Sequence, residues 1–229
     1  DRKRFDIPSE KTVFFQSFNI ASDIVRKNPV ASINAFYRAF QENPQVLFVL
    51  NVNVTNNNKS FIDALSKLKA YVSALKTIKI IDLKLDYADV LSLCASCDIL
   101  ISLHRAEGFG LSLIEAMAMG KAVITTAYSG NMDFVNTNNA CLVQYKLIPA
   151  VSPFNPNLSP ELLGFDPFWA DPDVDQAASW MSMLHENESF RVSIQKKAQD
   201  TIRSFLEISR KASVFHLIKE IVNQLGNTI

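Results

Sequence analysis

The 229-residue chain holds 23 basic and 23 acidic residues, so its formal net charge is zero. Without a basic block it lacks the electrostatic footprint of a nucleic-acid binder, and no nucleic acid is expected among its partners. No run of about 18 apolar residues occurs, so no segment reads as a membrane-spanning helix, and the polar opening has no apolar signal core.

The first eleven residues, polar and containing Pro8, read as a linker (1–11) that enters a domain spanning 12–229. A β-rich apolar run at 12–18 predicts the first strand. A loop over 19–28 follows, and Pro29 suits the first position of a helix reaching about residue 42. Ile33, Phe36, Tyr37 and Phe40 would share its apolar face. Residues 45–51 predict a second strand, 56–58 a turn, and Ile62, Leu65, Leu68 and Val72 an amphipathic helix. A third strand at 79–82 and a short helix at 89–97 come next. That helix holds Cys94 and Cys97, which with Cys141 make an odd count of three. With no second cysteine pair, reduced and partly buried thiols outweigh zinc or redox chemistry, and the expected compartment is cytoplasmic.

The most informative stretch is 98–120. Ile99, Leu100 and Ile101 read as a buried parallel strand, a polar turn spans 104–110, and a helix over 111–119 ends at Gly120, a usual residue just past a helix end. Strand, glycine-containing turn and helix place backbone N–H groups and a positive dipole end at the carboxyl end of a strand, where open α/β sheets bind ligands. Glu107 stands before Gly108-Phe109-Gly110, and Glu115 eight residues later in the second turn. Ionised carboxylates only accept hydrogen bonds, so the pair suits hydroxyl groups, while a phosphate would go to the Gly108–Gly110 backbone. A polyhydroxylated, phosphorylated ligand fits both. The alternative is that Glu107 caps the helix and Glu115 is a solvated face.

Residues 121–125 predict a further strand, 129–136 a short helix and 141–143 an edge strand. The alternation of strands and helices predicts an α/β fold: a Rossmann-like, doubly wound parallel sheet of about six strands, with helices on both faces and further C-terminal helices. Six prolines between 149 and 172 predict a Pro-rich surface loop (149–172) packed through Phe165, Phe168 and Trp169. Helices over 174–225 are expected from Ala177, Trp180, Met181 and Leu184, then Ile202, Phe205 and Ile208, then Phe215, Ile218 and Val222. His185 and His216 fall on these helices, away from the turn.

The E-x7-E spacing of Glu107 and Glu115, within the string EGFGLSLIEAMAMGKAVITTAYSGNMDF, resembles the donor-binding core of the retaining glycosyltransferases of family 4, which have the GT-B fold. Trp169-Ala-Asp-Pro-Asp-Val-Asp-Gln-Ala-Ala178 resembles a bacterial subgroup of that family, and the likeness extends over roughly 12–212. The resemblance implies a nucleotide-diphospho sugar as substrate, transfer to a glycan or lipid-linked acceptor with retained configuration in polysaccharide biosynthesis, and no metal or other cofactor. It implies that Glu107 contacts sugar hydroxyls, Glu115 the ribose, and the backbone of Gly108, Phe109 and Gly110 the sugar and diphosphate, with Leu111 also in the donor site. Lys27 would neutralise the leaving diphosphate. The family's arginine after the first strand is missing from 16–19, and Arg26 is its candidate replacement; the competing reading is that Arg26 and Lys27 form only a solvated turn. Asp82, Leu83 and Lys84 would flank the base.

His104 and Arg105, one step past a strand end, are candidates for lining the site, and Ser129, Gly130 and Asn131 form a second polar turn beside it. No His or acid cluster has metal-ligand spacing. The resemblance also implies a second, N-terminal half that binds the acceptor and can bring the enzyme to the inner face of the membrane. This chain has sequence for one half, so it should bind donor and transfer poorly alone. A reading from another class is a non-catalytic nucleotide-binding module serving as a partner or sensor subunit, which would not need Glu107. On the transferase reading, Glu107→Gln is expected to weaken the sugar conjugate and spare the bare diphosphate.

Overall fold

The computed structural model describes residues 2–54, 58–155, 158 and 160–211. Six strands, β1 (Thr12–Asn19), β2 (Val46–Asn53), β3 (Ile78–Ile81), β4 (Ile99–Ser102), β5 (Ala122–Thr126) and β6 (Cys141–Val143), form one sheet in the order β3-β2-β1-β4-β5-β6. Every neighbouring pair is parallel. Between them lie α1 (Ile24–Lys27), α2 (Pro29–Phe40), α3 (Lys59–Val72), α4 (Tyr87–Ala95) and α5 (Leu111–Ala118). After β6 come β7 (Tyr145–Pro149), the one-turn α6 (Pro160–Leu163), β8 (Phe168–Pro172), α7 (Val174–Glu186) and α8 (Glu188–Lys211).

Period-two alternation splits the strands between two apolar layers. Phe14, Phe18, Phe48, Leu50, Ile99, Ile101 and Ile124 point to α2, α3 and α7. Val13, Phe15, Leu47, Val49, Leu100 and Val123 point to α5 and α8. The expected doubly wound sheet is therefore present, because strands apolar on both faces need helices on both. Phe36 stands within 5.6 Å of Phe14, Phe40 and Phe48, centroid to centroid. Burying each such ring contributes about 1.5–3 kcal/mol.

Several expectations change. Tyr37 and Ile62, assigned to buried faces, are exposed, and Ala35 and Ala64 fill those layers instead. The loop after β1 contains α1, whose entry is set by Asp23 at φ +70, its carboxylate accepting from the Val25 and Arg26 amides. The Pro-rich region is not a loop throughout. β7 and β8 pair antiparallel, Tyr145 opposite Pro172 and Pro149 opposite Phe168. A two-strand ribbon leaves each strand an unpaired edge, which tolerates proline at strand ends. Trp169 is buried as expected, but Phe165 and Phe168 are exposed. Residues 2–11, read as a linker, lie against the sheet: Arg2 pairs with Asp98 at 2.8 Å and donates to the carbonyls of Pro8, Ser9, Lys11 and Ser96.

Cys94, Cys97 and Cys141 are free and buried, and burial pushes the Cys94 and Cys141 thiols up to about 12, which keeps them protonated and unreactive. Among the described residues no helix is long and apolar enough to cross a membrane. The expected face of Phe215, Ile218 and Val222, His216, and residues 56 and 57 of the expected turn lie outside the described residues.

Candidate functional site

In this strand order the chain leaves β1 toward β2 and leaves β4 toward β5, in opposite directions, so a crevice opens between β1 and β4 at their carboxyl ends. The β1 side supplies α1, with Arg26 and Lys27 in its last turn, and the β4 side supplies the turn His104–Gly110. Asn28, buried and at φ +51, joins α1 to α2 and donates from Nδ2 to the Leu103 carbonyl at 3.0 Å. The Arg105 amide donates to the Arg26 carbonyl at 2.8 Å. Gln16, also buried, donates to the Lys27 carbonyl at 3.1 Å. Backbone on both sides is thereby fixed.

Across the crevice the Lys27 ammonium pairs with Glu107 Oε2. Arg26 stands 3.9 Å from the same oxygen and donates to the Ala106 carbonyl at 2.7 Å. Side-chain exposure is 17% for Lys27 and 15% for Glu107, so this is no solvated turn. Burial alone would push the Glu107 carboxyl up, but the charge and hydrogen bond of Lys27, helped by Arg26, bring it below its ordinary 4.5. Glu107 is ionised at neutral pH.

The second polar turn holds the glutamate's backbone. Ser129 Oγ accepts from the Glu107 amide at 3.0 Å and donates to the Glu107 carbonyl at 2.5 Å, which also accepts from the Gly130 amide at 3.0 Å. A Cβ on Gly130 would stand 2.0 Å from the Gly108 carbonyl oxygen, so only glycine allows this approach. Gly108 itself has open space where its Cβ would be, leaving its backbone accessible to a ligand. Gly110, at φ +92, opens α5 in the left-handed region that favours glycine. Phe109 rests against Phe134 and Phe205 with one side exposed, and Leu111 is exposed at the helix start.

Glu115 lies in the second turn of α5, as expected, and accepts a 2.6 Å hydrogen bond from the Tyr87 phenol. Tyr87 itself is exposed, and that hydrogen bond, with the negative charge behind it, raises the phenol's pKa. Nothing in the sequence pattern singles out Tyr87, although it joins the start of α4 to α5. In the loop after β3, Leu83 and Lys84 are exposed and Asp82 pairs with Lys69.

Two candidates turn inward and a third, Arg105, is tied down beside a groove on the other side of α1. His104 is fully buried. Its Nε2 lies 3.1 Å from the Tyr128 carbonyl, which can only accept, so Nε2 carries the proton and Nδ1 accepts from Ser102 Oγ at 3.0 Å. Burial lowers its pKa and keeps it neutral. Arg105 is a tie: it donates to the Val25 carbonyl at 2.8 Å and to Asp171 at 3.0 Å, while its carbonyl accepts from the Ala170 amide. Asn131 is buried and donates to the Thr126 carbonyl at 3.0 Å. Each shapes the crevice without opening onto it.

On the other side of α1 lies a groove of about 740 Å³ lined by Ile24, Val25, Val30, Leu68, Tyr71 and Phe154, among others. It is mostly apolar and contains neither Lys27 nor Glu107. Among the described residues no three His, Cys, Asp or Glu side chains cluster as metal ligands would.

Residues 79–146 match the model of the family described as glycosyl transferases group 1, a span that covers Tyr87, Glu107, Glu115 and Ser129 but not Lys27. No curated protein matches the chain in sequence. Among solved structures, the C-terminal domain of LpcC, a glycosyl transferase group 1 family protein of Francisella tularensis, is 22% identical with a TM-score of 0.63, over 88% of this chain and 89% of that one. HepE of Anabaena, solved with UDP and glucose, is 18% identical with a TM-score of 0.64, over 98% of this chain and 50% of that one. Sucrose-phosphate synthase of Thermosynechococcus elongatus is 14% identical with a TM-score of 0.64, over all of this chain and 49% of that one. At these identities the likeness establishes the fold: a Rossmann-like sheet with the architecture of GT-B C-terminal domains. The chain spans about half the length of HepE and of the synthase.

Proposed function

We propose that this chain is the donor-binding half of a retaining, family 4 glycosyltransferase, and that it binds a nucleotide-diphospho sugar in the crevice between β1 and β4. The observation that carries the reading is the meeting of Lys27 and Glu107 across that crevice, beside the open backbone of Gly108 and the start of α5. A cation and a helix N-terminus suit a diphosphate, and a fixed carboxylate suits a sugar hydroxyl. The solved complex of HepE with UDP and glucose supports a ligand of this kind on this fold.

In this reading Lys27, with Arg26 behind it, stabilises the negative charge that grows on the leaving diphosphate, a task that does not require a metal ion. Glu107 orients the sugar through a hydroxyl, and Glu115, held by Tyr87, accepts from the ribose. His104, Arg105 and Asn131 hold the loops that carry these groups. Transfer itself needs an acceptor-binding half, in the cytoplasm or at the inner face of the membrane. Calorimetric titration with UDP-, GDP- and dTDP-sugars and the matching free diphosphates tests the reading. One conjugate should bind more tightly than its diphosphate. Equal binding of every conjugate and free nucleotide would instead favour a nucleotide-binding module without transferase activity.

A further inference from the structure

The ligand-free crevice presents a conflict that the proposed roles do not by themselves resolve. Lys27, assigned to the diphosphate, and Glu107, assigned to the sugar, already hold each other. A half-buried carboxylate left alone is costly, and so is a half-buried ammonium. Neither can therefore be released until a ligand group replaces its partner.

We infer that Lys27 exchanges partners, leaving Glu107 for the diphosphate, and that this exchange makes the site discriminate the sugar conjugate from the bare nucleoside diphosphate. The inference rests on the donor-binding reading above. When the conjugate binds, the diphosphate takes Lys27 and a sugar hydroxyl donates to the vacated Glu107 oxygen, so both charges remain paired or hydrogen-bonded. When the bare diphosphate binds, Lys27 must still leave, and no ligand group donates to Glu107, which is left with Arg26 at 3.9 Å. The carboxylate then sits desolvated beside a second anion. Lys27 is drawn back, and the diphosphate is held weakly. Glu107 thus acts twice, for the substrate and against the product left after the sugar has gone.

The surroundings make the exchange local. Glu107's backbone is fixed by Ser129 and Gly130, and Lys27's by Gln16 and the Asp23 carbonyl, which accepts from the Lys27 amide at 2.9 Å, so only the side chains need to move. Arg26, already 3.9 Å from Glu107 Oε2, is tied to Ser22 and Ala106, so closing to hydrogen-bond distance strains those bonds. This changes the expectation drawn from sequence: Glu107→Gln should not spare the bare diphosphate but favour it.

The test measures affinities of UDP, GDP and dTDP and of their glucose conjugates for the unmutated chain, Glu107→Gln, Lys27→Met and the double variant, with a melting curve for each. Glu107→Gln should bind the preferred diphosphate roughly three- to tenfold more tightly and its conjugate more weakly. In the Lys27→Met background the same change should give the diphosphate a clearly smaller gain, because no partner is left to exchange. An equal gain in both backgrounds means simple charge repulsion, and overturns the exchange. Unchanged or weaker diphosphate binding by Glu107→Gln also overturns it, while leaving the donor-binding reading intact. If the unmutated chain binds none of the nucleotides, the donor reading fails and the exchange with it. Should a variant not fold, the Glu107 carboxyl can be followed by carbon NMR in the unmutated chain. Saturating diphosphate should move its titration to higher pH, and an unmoved titration contradicts the exchange.

Discussion

Glu107 and Glu115 belong to one motif, yet the structure gives them different partners. Glu107 sits in a turn pinned by a neighbouring loop, half-buried, and pairs with an ammonium from another strand's loop 80 residues away. Glu115 sits on a helix, also partly buried, and among the described residues accepts a hydrogen bond from the neutral phenol of an exposed tyrosine. The contrast teaches that the environment, not the residue type, sets what a carboxylate can do. A partly buried charge held by a fixed cation can be coupled to a ligand's charge, whereas one held by a neutral phenol offers acceptors without that coupling.

The largest way to break this contrast is to part the two loops. Gly130→Ala drives a methyl group into the Gly108 carbonyl, and should cost about 1–3 kcal/mol in a denaturation curve and abolish binding at the Glu107 side. Gly108→Ala is its partner experiment: open space there predicts a melting temperature close to the parent's, with nucleotide-sugar affinity reduced if a ligand approaches that backbone. Loss of stability in Gly108→Ala equal to that in Gly130→Ala would mean the loop is packed differently.

Next in size is Lys27→Ala, which leaves Glu107 half-buried without its nearest cation and should cost about 1–2 kcal/mol at neutral pH. Because the Glu107 pKa is depressed in the folded chain, its pairing stabilises above its unfolded value near 4.5 and is lost as pH falls through the lower folded value. The gap between parent and variant should therefore be widest above pH 4.5 and close in acid, as denaturant titrations across pH can show. Nucleoside diphosphate binding should fall much more than nucleoside binding.

The smallest effects belong to the other carboxylate. Tyr87→Phe and Glu115→Gln should each leave stability close to the parent's, since their hydrogen bond is exposed. Glu115→Gln should weaken the diphosphate and the conjugate alike, because the ribose is common to both. A selective loss of the conjugate would show that Glu115, not Glu107, reads the sugar.

The strands and their layers were legible because buried apolar runs announce themselves, and Pro29 and Gly120 marked helix ends through their fixed backbone preferences. The turn carrying Glu107 was legible from its glycines. What was not legible depends on direction or on distance. His104 and Arg105 lie where a strand-end rule puts site residues, but His104 turns inward to Tyr128 and Arg105 is held by the Val25 carbonyl and the exposed Asp171. α1 depends on the unusual backbone of Asp23, and the β7–β8 ribbon was hidden by prolines that only its free edges tolerate. Tyr87 is an exposed aromatic whose partner is 28 residues away, and no periodicity reveals it. The Lys27–Glu107 pair follows from the strand order, which a sequence pattern alone does not supply.

The claim on which the account rests is that a nucleotide-diphospho sugar enters between β1 and β4. A crystal structure of the chain soaked with the conjugate that binds best in the titrations tests it most directly. The account predicts the diphosphate within hydrogen-bond reach of Lys27 Nζ, a sugar hydroxyl on Glu107 and the ribose on Glu115. A nucleotide seated instead in the apolar groove on the other side of α1, with Lys27 still paired to Glu107, would contradict it.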